Sequence, residues 1–385
     1  GPVAEEEPAL EASAAAAEPS VADADAATAA LATIAALKAS NPDNRMAKHF
    51  TEAYYNSLSA EKQKLLLLCC KSGYENADSG MGLYAMSPTD YDELKEYFDL
   101  VIRDYHGITG ELQHVNNWDL SGVADLPAGG KLDLTELGLG DTSMRVRVGR
   151  NLKDFPLPGN MTQDDRVTLE ARMITAFKTL IANPDFGGTY HTLTPDNEYS
   201  IDEAQYQALV DEHIMFKDMS VDPYLLSAGI SMHWPFGRGC YVSQDRSFIV
   251  WVGEEDHLRI MCMKKGTVLN EVFDRLESCL KVIEGCEGCV FAKSEQYGWV
   301  TSCPTNLGSG MRASLHLALP KLTKAGQDVS EAKAVAKTLG LSVRGAGGEH
   351  TAAGADGTVD ISPSARLCIQ ESEIIAALYK GVKLL

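Results

Sequence analysis

The sequence has 385 residues, of which 45% are hydrophobic and 23% charged, and this favours two domains or one large domain with a smaller companion. The formal net charge of −20 argues against general binding of nucleic acid and against adsorption to an anionic membrane, since both need clustered cationic side chains. No apolar run approaches the ~18 residues that a membrane-spanning helix requires.

The part of the chain before the predicted sheet is interpreted as a tail, a helical domain and a linker. Residues 1–26 are rich in Ala, Glu, Asp and Pro, which predicts a disordered tail. A small all-helical domain is predicted over 27–112, because apolar residues recur at helical spacing in 27–40, 45–57, 60–72 and 88–104. Two glycines in 76–84 would let the backbone approach a ligand or simply form a turn. The weakly periodic stretch 113–140 is interpreted as a linker.

The remaining residues, 141–385, mix strand-like and helical patterns. Alternation typical of strands occurs in 144–148, 246–252, 257–263, 298–303, 311–317, 341–344 and 358–361. Helical patterns cover 265–283 and 371–384. Short turns separate several of the strands, and long helices intervene between only some of them. The pattern therefore predicts an α+β domain with an antiparallel β-sheet flanked by helices.

Three segments of this larger domain carry candidate chemistry. The three consecutive acids in 251–259 fit a hairpin turn, or carboxylates that hold a cation and orient a base. Cys303 ends a strand-like run, and nearby hydroxyls and backbone N–H groups could lower its pKa, although an isolated cysteine is more often an inert small hydrophobe. The glycine-dense segment 343–354 fits a lid over a substrate or a mobile loop without a role.

Together these segments resemble the phosphagen (guanidino) kinases, a family that includes arginine, creatine and taurocyamine kinases. The matching motifs run in order from about residue 27 to the C-terminus, and they are Asp-Tyr-His-Gly at 104–107, Ser-Met-Arg-Val-Arg at 143–147, Val-Trp-Val-Gly-Glu-Glu-Asp-His-Leu-Arg at 250–259, Cys-Pro-Thr-Asn-Leu-Gly-Ser at 303–309 and the loop at 344–351. Gly253 stands where the family has Asn.

The resemblance implies a guanidino kinase/glutamine synthetase-like catalytic domain. It also implies reversible, Mg-ATP-dependent phosphoryl transfer to the guanidinium nitrogen of a small compound. L-Arginine is the expected substrate, with taurocyamine or another guanidino compound as the alternative. The rival from a different class is a non-catalytic nucleotide-binding or structural relative on the same fold.

Roles for individual residues follow from the same resemblance. Glu255 and Glu349 would bind the guanidinium, and Cys303 would be a reactive thiolate beside it. The nucleotide would be bound by five phosphate-clamping arginines and by two histidines that flank the adenine in relatives, namely Arg145, Arg147, Arg259, Arg312, Arg344, His213 and His316. Bidentate guanidinium groups suit the charge that develops on the transferred phosphoryl oxygens.

The helical domain contains a segment similar to the specificity loop of arginine kinases, made of Ser79, Gly80, Met81, Gly82 and Tyr84. Its backbone N–H groups could hold the substrate carboxylate, and Tyr84 could reach the amine. Arginine kinases often pair the loop aspartate, here Asp78, with an arginine, but the matching region 221–224 reads Val-Asp-Pro-Tyr.

The expected cofactor is Mg²⁺, which accompanies ATP or ADP and is held mainly by phosphates and water, with Glu254 and Asp256 acting through water. The expected partners are ATP/ADP and a small guanidino substrate, and the expected state is a monomer or homodimer. Nine cysteines without a disulfide-like framework indicate a reducing compartment. We therefore expect a cytoplasmic protein, with an organelle or the flagellum as alternatives.

Overall fold

The computed structural model describes residues 21–346 and 351–385. Its first part is helical, with α1 (Val21–Ser40), α2 (Arg45–His49), α3 (Glu52–Ser57), α4 (Ala60–Glu75), α5 (Asp90–Glu93) and α6 (Lys95–His106). Helix α1 begins six residues earlier than predicted, because its Ala-rich first turns favour helix and Asp23 complements the helix dipole. The rest of the predicted tail, 1–20, lies outside the described residues.

The helix predicted over 45–57 is two helices. Phe50 is extended after α2, and Thr51 then caps α3 by accepting a hydrogen bond from the Tyr54 amide at 3.3 Å. Buried side chains such as Tyr97 and Phe98 form the core of this domain. That core also includes Tyr297, Val300 and Leu307, so the segment around Cys303 packs directly against the helices.

The larger part of the chain contains an eight-stranded sheet with the order β2-β3-β4-β5-β1-β8-β10-β9. Its strands are β1 (Thr142–Arg150), β2 (Thr189–Thr192), β3 (Gly239–Val242), β4 (Phe248–Val252), β5 (Leu258–Gly266), β8 (Met311–Ala318), β9 (Leu341–Gly345) and β10 (Thr358–Pro363), and a separate hairpin is made by β6 (Lys293–Ser294) and β7 (Gly298–Trp299). Every neighbouring pair is antiparallel, which confirms the predicted α+β class.

Several helices cover one face of this sheet, and residues 203–211 pack on part of the other. The helices of this part are α7 (Gln163–Ala182), α8 (Glu203–Asp211), α9 (Pro223–Ser227), α10 (Asn270–Glu284), α11 (Ser330–Thr338) and α12 (Glu371–Leu384). Met144, Val146 and Val148 of β1 are buried in one core with side chains from α7, α10 and α12. The intervening Arg145 and Arg147 must then point to the opposite face, since side chains alternate along a strand.

Two predicted elements of the larger part also differ in extent from the structure. The helix predicted over 265–283 begins only at Asn270, because β5 continues through Gly266 to pair with Thr142. The strand predicted over 298–303 ends at Trp299, after which the chain turns toward Cys303. Among the described residues, none of the helices combines the length and apolar character that crossing a bilayer demands.

Candidate active site

Strand register places the sequence-predicted phosphate-binding arginines side by side. Arg147 of β1 lies opposite Arg312 of β8, and Gly149, two residues further along β1, lies opposite Arg259 of β5. Directly paired residues point to the same face of a sheet, as do residues two apart on one strand. Arg145, Arg147, Arg259 and Arg312 therefore share the face opposite the core formed with α7, α10 and α12, and α8 covers only a part of it, beside Ile249 and Met261.

The same reasoning extends to the edge of the sheet. Asp360 of β10 lies opposite His316 of β8 and opposite Arg344 of β9, and His316 is four residues beyond Arg312 on its strand. The arginine face, as we call it, therefore contains Arg145, Arg147, Arg259, Arg312, Arg344, His316 and Asp360. Asp360 was not predicted, although a charged residue within the apolar strand pattern of 358–361 was a usable signal.

The arginine face has an excess of positive charge. Burial lowers the pKa of Arg145 to about 10 and that of Arg147 well below its ordinary value, and neighbouring guanidinium groups act in the same direction. Arg312 forms a buried ion pair with Asp360, which stabilises one of these charges. Burial without enough carboxylates is costly for cations, so the arrangement favours a bound polyanion.

One end of the arginine face adjoins the acidic turn at 253–257. Arg259 Nη2 lies 2.9 Å from Glu254 Oε2, and its guanidinium lies 5.3 Å from the centre of the Trp251 ring. The Trp251 indole donates to the carbonyl of Ile214 at 2.6 Å. His213 is thereby held next to the edge of this face, where it is exposed and lines a surface pocket of about 670 Å³.

The acidic turn is shaped by Gly253 and His257. Gly253 has φ +77°, and its amide donates to the His257 carbonyl at 3.0 Å. His257 Nδ1 accepts from the Leu152 amide, while its Nε2 donates to the Pro156 carbonyl. Burial lowers the pKa of His257 to about 4, so the ring is neutral and supports the turn. The hairpin turn that the sequence suggested is present.

Glu255 projects from this turn into a partly buried position. Burial, followed by the charges of Asp256 and Glu254, raises its pKa to about 7, and Arg259 opposes that rise. Asn306 Nδ2 donates to Glu255 Oε1 at 3.0 Å. The Asn306 amide was not predicted as a site residue, although it lies within the 303–309 motif. A carboxylate in this setting can bind a cation or accept a proton near neutral pH.

Cys303 lies beside Glu255. Burial, followed by the charge of Glu255, raises the pKa of the Cys303 thiol to about 12, while the Thr305 hydroxyl, which donates to Sγ at 3.0 Å, acts against the rise. The Thr305 hydroxyl and its backbone N–H do act to lower this pKa, as expected, but the net shift is upward. The predicted hydroxyl contact is present, but burial and a neighbouring carboxylate outweigh it. A cation between the two groups would stabilise both anions.

A buried hydrogen-bonded unit fixes the acidic turn relative to Cys303. Asp256 Oδ1 accepts from Asn151 Nδ2 at 2.8 Å and from the Ser302 amide at 2.7 Å. Asn151, fully buried at the end of β1, also donates to the Val300 carbonyl and accepts from the His257 amide. Sequence reasoning missed Asn151, because nothing in its local pattern shows which distant groups it joins.

The segment similar to a specificity loop lies against α2 and α4. Ser79 and Gly82 are buried and Gly80 is exposed. Gly82 has φ +68°, and a Cβ there would lie 2.7 Å from the Cα of Gly73 in α4, so no larger residue fits. Met81 is half-buried at the tip of the loop.

The same loop leads directly to Cys303. The Ala85 amide donates to the Ser302 carbonyl at 2.8 Å. Burial raises the pKa of Tyr84 well above its ordinary value, and the charges of Cys303 and Glu255 add to that rise. The Tyr84 phenol therefore faces the two catalytic candidates from the helical domain.

A tyrosine replaces the arginine expected opposite the loop aspartate. The Tyr224 hydroxyl at the start of α9 donates to Asp78 Oδ2 at 2.6 Å. Asn76 Nδ2 donates to the Ser227 hydroxyl at 2.8 Å in the same contact. The hydrogen bonds that connect the two domains here are thus donated by uncharged groups.

Two expectations concern groups that the structure does not position. Glu349 lies outside the described residues. Among the residues that are described, no cluster of three His, Cys, Asp or Glu side chains is arranged to hold a metal ion. Glu254 is paired with Arg259, and Asp256 Oδ1 already accepts two hydrogen bonds. These donors fit a cation that arrives on phosphates better than one chelated by the protein.

Comparison with known proteins points to one family. The family model described as ATP:guanido phosphotransferase, C-terminal catalytic domain, matches residues 168–385, and the N-terminal domain model of that family matches 40–103. The arginine kinase Oct f 2 of Amphioctopus fangsiao is 36% identical over 338 residues, which is 87% of this chain and 91% of that protein. The arginine kinase of Limulus polyphemus is 34% identical over 351 residues, covering 90% and 92% respectively.

Solved structures show the same relationship. The duplicated taurocyamine kinase from Schistosoma mansoni with bound transition state analog components superimposes with a TM-score of 0.76 at 32% identity. That match covers 93% of this chain and 47% of the other, so the chain spans about half the length of the duplicated protein. Lombricine kinase gives a TM-score of 0.73 at 27% identity, covering 88% of this chain and 90% of that chain. With both family models and these relatives in agreement, the chain belongs to the ATP:guanido phosphotransferases, the phosphagen kinases.

Proposed function

We propose that this chain catalyses the reversible transfer of the γ-phosphoryl group of MgATP to the guanidino nitrogen of L-arginine. The observation that carries the proposal is the meeting of the arginine face with the Glu255–Cys303 pair. One surface suits a polyanion, and the adjacent one suits a planar cation. Arg259 touches both, because it pairs with Glu254 and shares a sheet face with Arg147.

On the phosphate side, the arginine face would bind the triphosphate through paired N–H donors. The transition state of phosphoryl transfer spreads charge over the γ-phosphoryl oxygens, and fixed guanidinium groups stabilise it without reorganising. Mg²⁺ travels with the nucleotide and neutralises part of its charge. His316 lies on this face and His213 next to its edge, and both would flank the adenine.

On the guanidino side, Glu255 and Cys303 would hold the substrate in line with the γ-phosphorus. The guanidino nitrogen attacks phosphorus, the bond from phosphorus to the β,γ-bridging oxygen breaks, and ADP leaves with that electron pair. The attacking nitrogen loses one proton, and Glu255, with a pKa of about 7, can accept it. The positive substrate would also bring the Cys303 pKa down from about 12 toward the thiolate form.

Arginine is favoured by the loop at 79–84, by the presence of Tyr84 beside the acids, and by the arginine kinases among the relatives. Taurocyamine is the second candidate, because the solved taurocyamine kinase superimposes over 93% of this chain. Neither choice changes the roles of Glu255 or the arginine face.

A coupled assay tests the proposal. Purified protein with MgATP is offered arginine, taurocyamine, creatine, glycocyamine and lombricine, and ADP formation is followed in parallel. We expect turnover with arginine above the others, and loss of turnover in Cys303→Ala and Glu255→Gln. Binding of ADP without turnover of any guanidine would identify a non-catalytic relative. Preference for taurocyamine would replace the substrate and leave the reaction class intact.

A further inference from the structure

The loop at 79–84 turns two carbonyl groups toward α2. The first-turn amides of α2 need acceptors, and they find them here: the Arg45 amide donates to the Gly80 carbonyl at 3.2 Å, and the Met46 amide to the Met81 carbonyl at 3.1 Å. In a trans peptide, the C=O of one residue and the N–H of the next point in opposite directions. The amides of Met81 and Gly82 therefore point away from α2.

These two amides have no acceptor within the described part of the chain, and the same holds for the amide of Gly80. Adjacent N–H groups that point the same way form a concave site for an anion. The loop borders the guanidino side of the cleft, because Tyr84 lies close to Cys303 and Glu255. An anionic group on a substrate whose guanidinium contacts those residues is within reach of this loop.

The side chain of Arg45 holds this arrangement in place. Its Nη1 donates to the same Gly80 carbonyl at 3.2 Å, so that one oxygen accepts from both the main chain and the guanidinium. Its Nε lies 3.5 Å from Asp104 Oδ1, and its guanidinium lies 5.3 Å from the centre of the Tyr105 ring. These contacts fix the guanidinium on the side of the loop that faces α2.

A cationic donor on the Gly80 carbonyl also affects the other end of the peptide unit. Hydrogen bonds in a chain polarise one another, so the Met81 N–H becomes a stronger donor when the carbonyl of its peptide is bound by a guanidinium. The fixed positive charge favours an anion at the amides for the same electrostatic reason.

We propose that Arg45 is a specificity-determining positioning residue. It holds and polarises the Gly80–Met81 peptide so that the amides of Met81 and Gly82 bind an anionic group at the end of the substrate remote from the guanidinium. This inference rests on the proposed function, since it concerns how the same site chooses among guanidino compounds.

The test compares ligands with and without the anionic group. The pair is arginine and agmatine, which is arginine without its carboxylate, or taurocyamine and ethylguanidine if taurocyamine is preferred. Dissociation constants come from calorimetry, and KM and kcat come from the coupled assay. The variants are Arg45→Met and Arg45→Gln. Lys48→Met is the matched control, because Lys48 also pairs with Asp104, at 2.6 Å, without contacting the loop.

We expect both Arg45 variants to weaken binding of the acidic ligand about tenfold, with kcat, the KM for ATP and the binding of the neutral ligand within about twofold of the parent. Lys48→Met should leave all of these values unchanged. Equal losses for both ligands, or a fall in kcat without a change in KM, would show that Arg45 only supports the fold. Wild-type protein that binds agmatine as tightly as arginine would also overturn the inference. Failure to phosphorylate any guanidine would defeat the proposed function, while calorimetry would still decide the role of Arg45.

Discussion

Removing one arginine from the arginine face should make the protein more stable and less active. Arg147 lies directly opposite Arg312 on the neighbouring strand, and like charges in that position are unfavourable. For the ~5 Å separation typical of paired cross-strand side chains and an effective dielectric constant of about 20, their repulsion is about 3 kcal/mol. Part of this is offset by the attraction of Glu254 to Arg147 and by the ion pair of Arg312 with Asp360. We therefore expect Arg147→Met to raise the free energy of unfolding by about 1–3 kcal/mol at low salt.

The same substitution should sharply reduce phosphoryl transfer. Loss of one preorganised donor to a developing oxyanion typically costs about 3–4 kcal/mol, which is roughly a hundred- to a thousandfold in kcat. Methionine keeps the unbranched stem of arginine, so the packing of β1 changes little. Urea unfolding followed by circular dichroism gives the stability, and the coupled assay gives the rate.

Arg150 provides the control on the same strand. It is buried on the opposite face, donates from Nη1 to the carbonyls of Gly149 and Ser309, and stacks 4.4 Å from the centre of the Trp299 ring. Arg150→Met loses the two Nη1 hydrogen bonds and the stacking on Trp299, so it should lower the free energy of unfolding by about 2–4 kcal/mol. A loss of stability in both variants, or full activity in Arg147→Met, would refute the charge argument. The gain in Arg147→Met should also shrink as salt is added.

Four further outcomes follow from the guanidino side. Glu255→Gln should reduce turnover at least tenfold with the KM for ATP unchanged. In the wild type, the rate of guanidine phosphorylation should fall as the pH drops through about 7, because the carboxylate that accepts the proton becomes protonated. A pH–rate profile that the substitution leaves unaltered would contradict this role. Cys303→Ala should reduce single-turnover rates at least tenfold, whereas retention of the wild-type rate would remove the thiol from the mechanism. Tyr224→Phe removes the hydrogen bond to Asp78 and should raise the KM for the guanidine about threefold or more without altering the KM for ATP, as measured in the coupled assay. Gly253→Asn should reduce both stability and turnover, because a Cβ there would lie 2.3 Å from the Gly237 carbonyl oxygen; a Tm equal to that of the parent would show that the turn relaxes.

The sequence was most informative where a short pattern determines geometry. Alternation along 144–148 predicts that Arg145 and Arg147 share a face, and the structure shows that they do, opposite the buried Val146. It could not show that Arg312 lies beside Arg147, because register across strands is determined by the whole sheet. The family resemblance supplied that grouping.

The hydrogen-bond partners of the site were beyond the reach of sequence reasoning. Asn151 and Ser302 are 151 positions apart in the sequence, yet both donate hydrogen bonds to Asp256. No periodicity in the sequence marks such a pair. The net upward shift of the Cys303 pKa was missed for a similar reason. The flanking hydroxyl can be read from the sequence, whereas burial and the approach of Glu255 depend on the folded chain.

The two halves of the cleft are built differently, and this separates catalysis from substrate choice. The arginine face lies on paired strands whose spacing is fixed by the sheet. The guanidino side is made of several loops that are joined by hydrogen bonds. The Ala85 amide donates to the Ser302 carbonyl, and the Ser302 amide donates to Asp256, which belongs to the acidic turn. These hydrogen bonds hold Glu255 and Cys303 in fixed positions relative to each other, and they do not involve the end of the substrate remote from the guanidinium. On the proposed function, discrimination between substrates with and without an anionic group would reside in the loop at 79–84 and in Arg45 next to it.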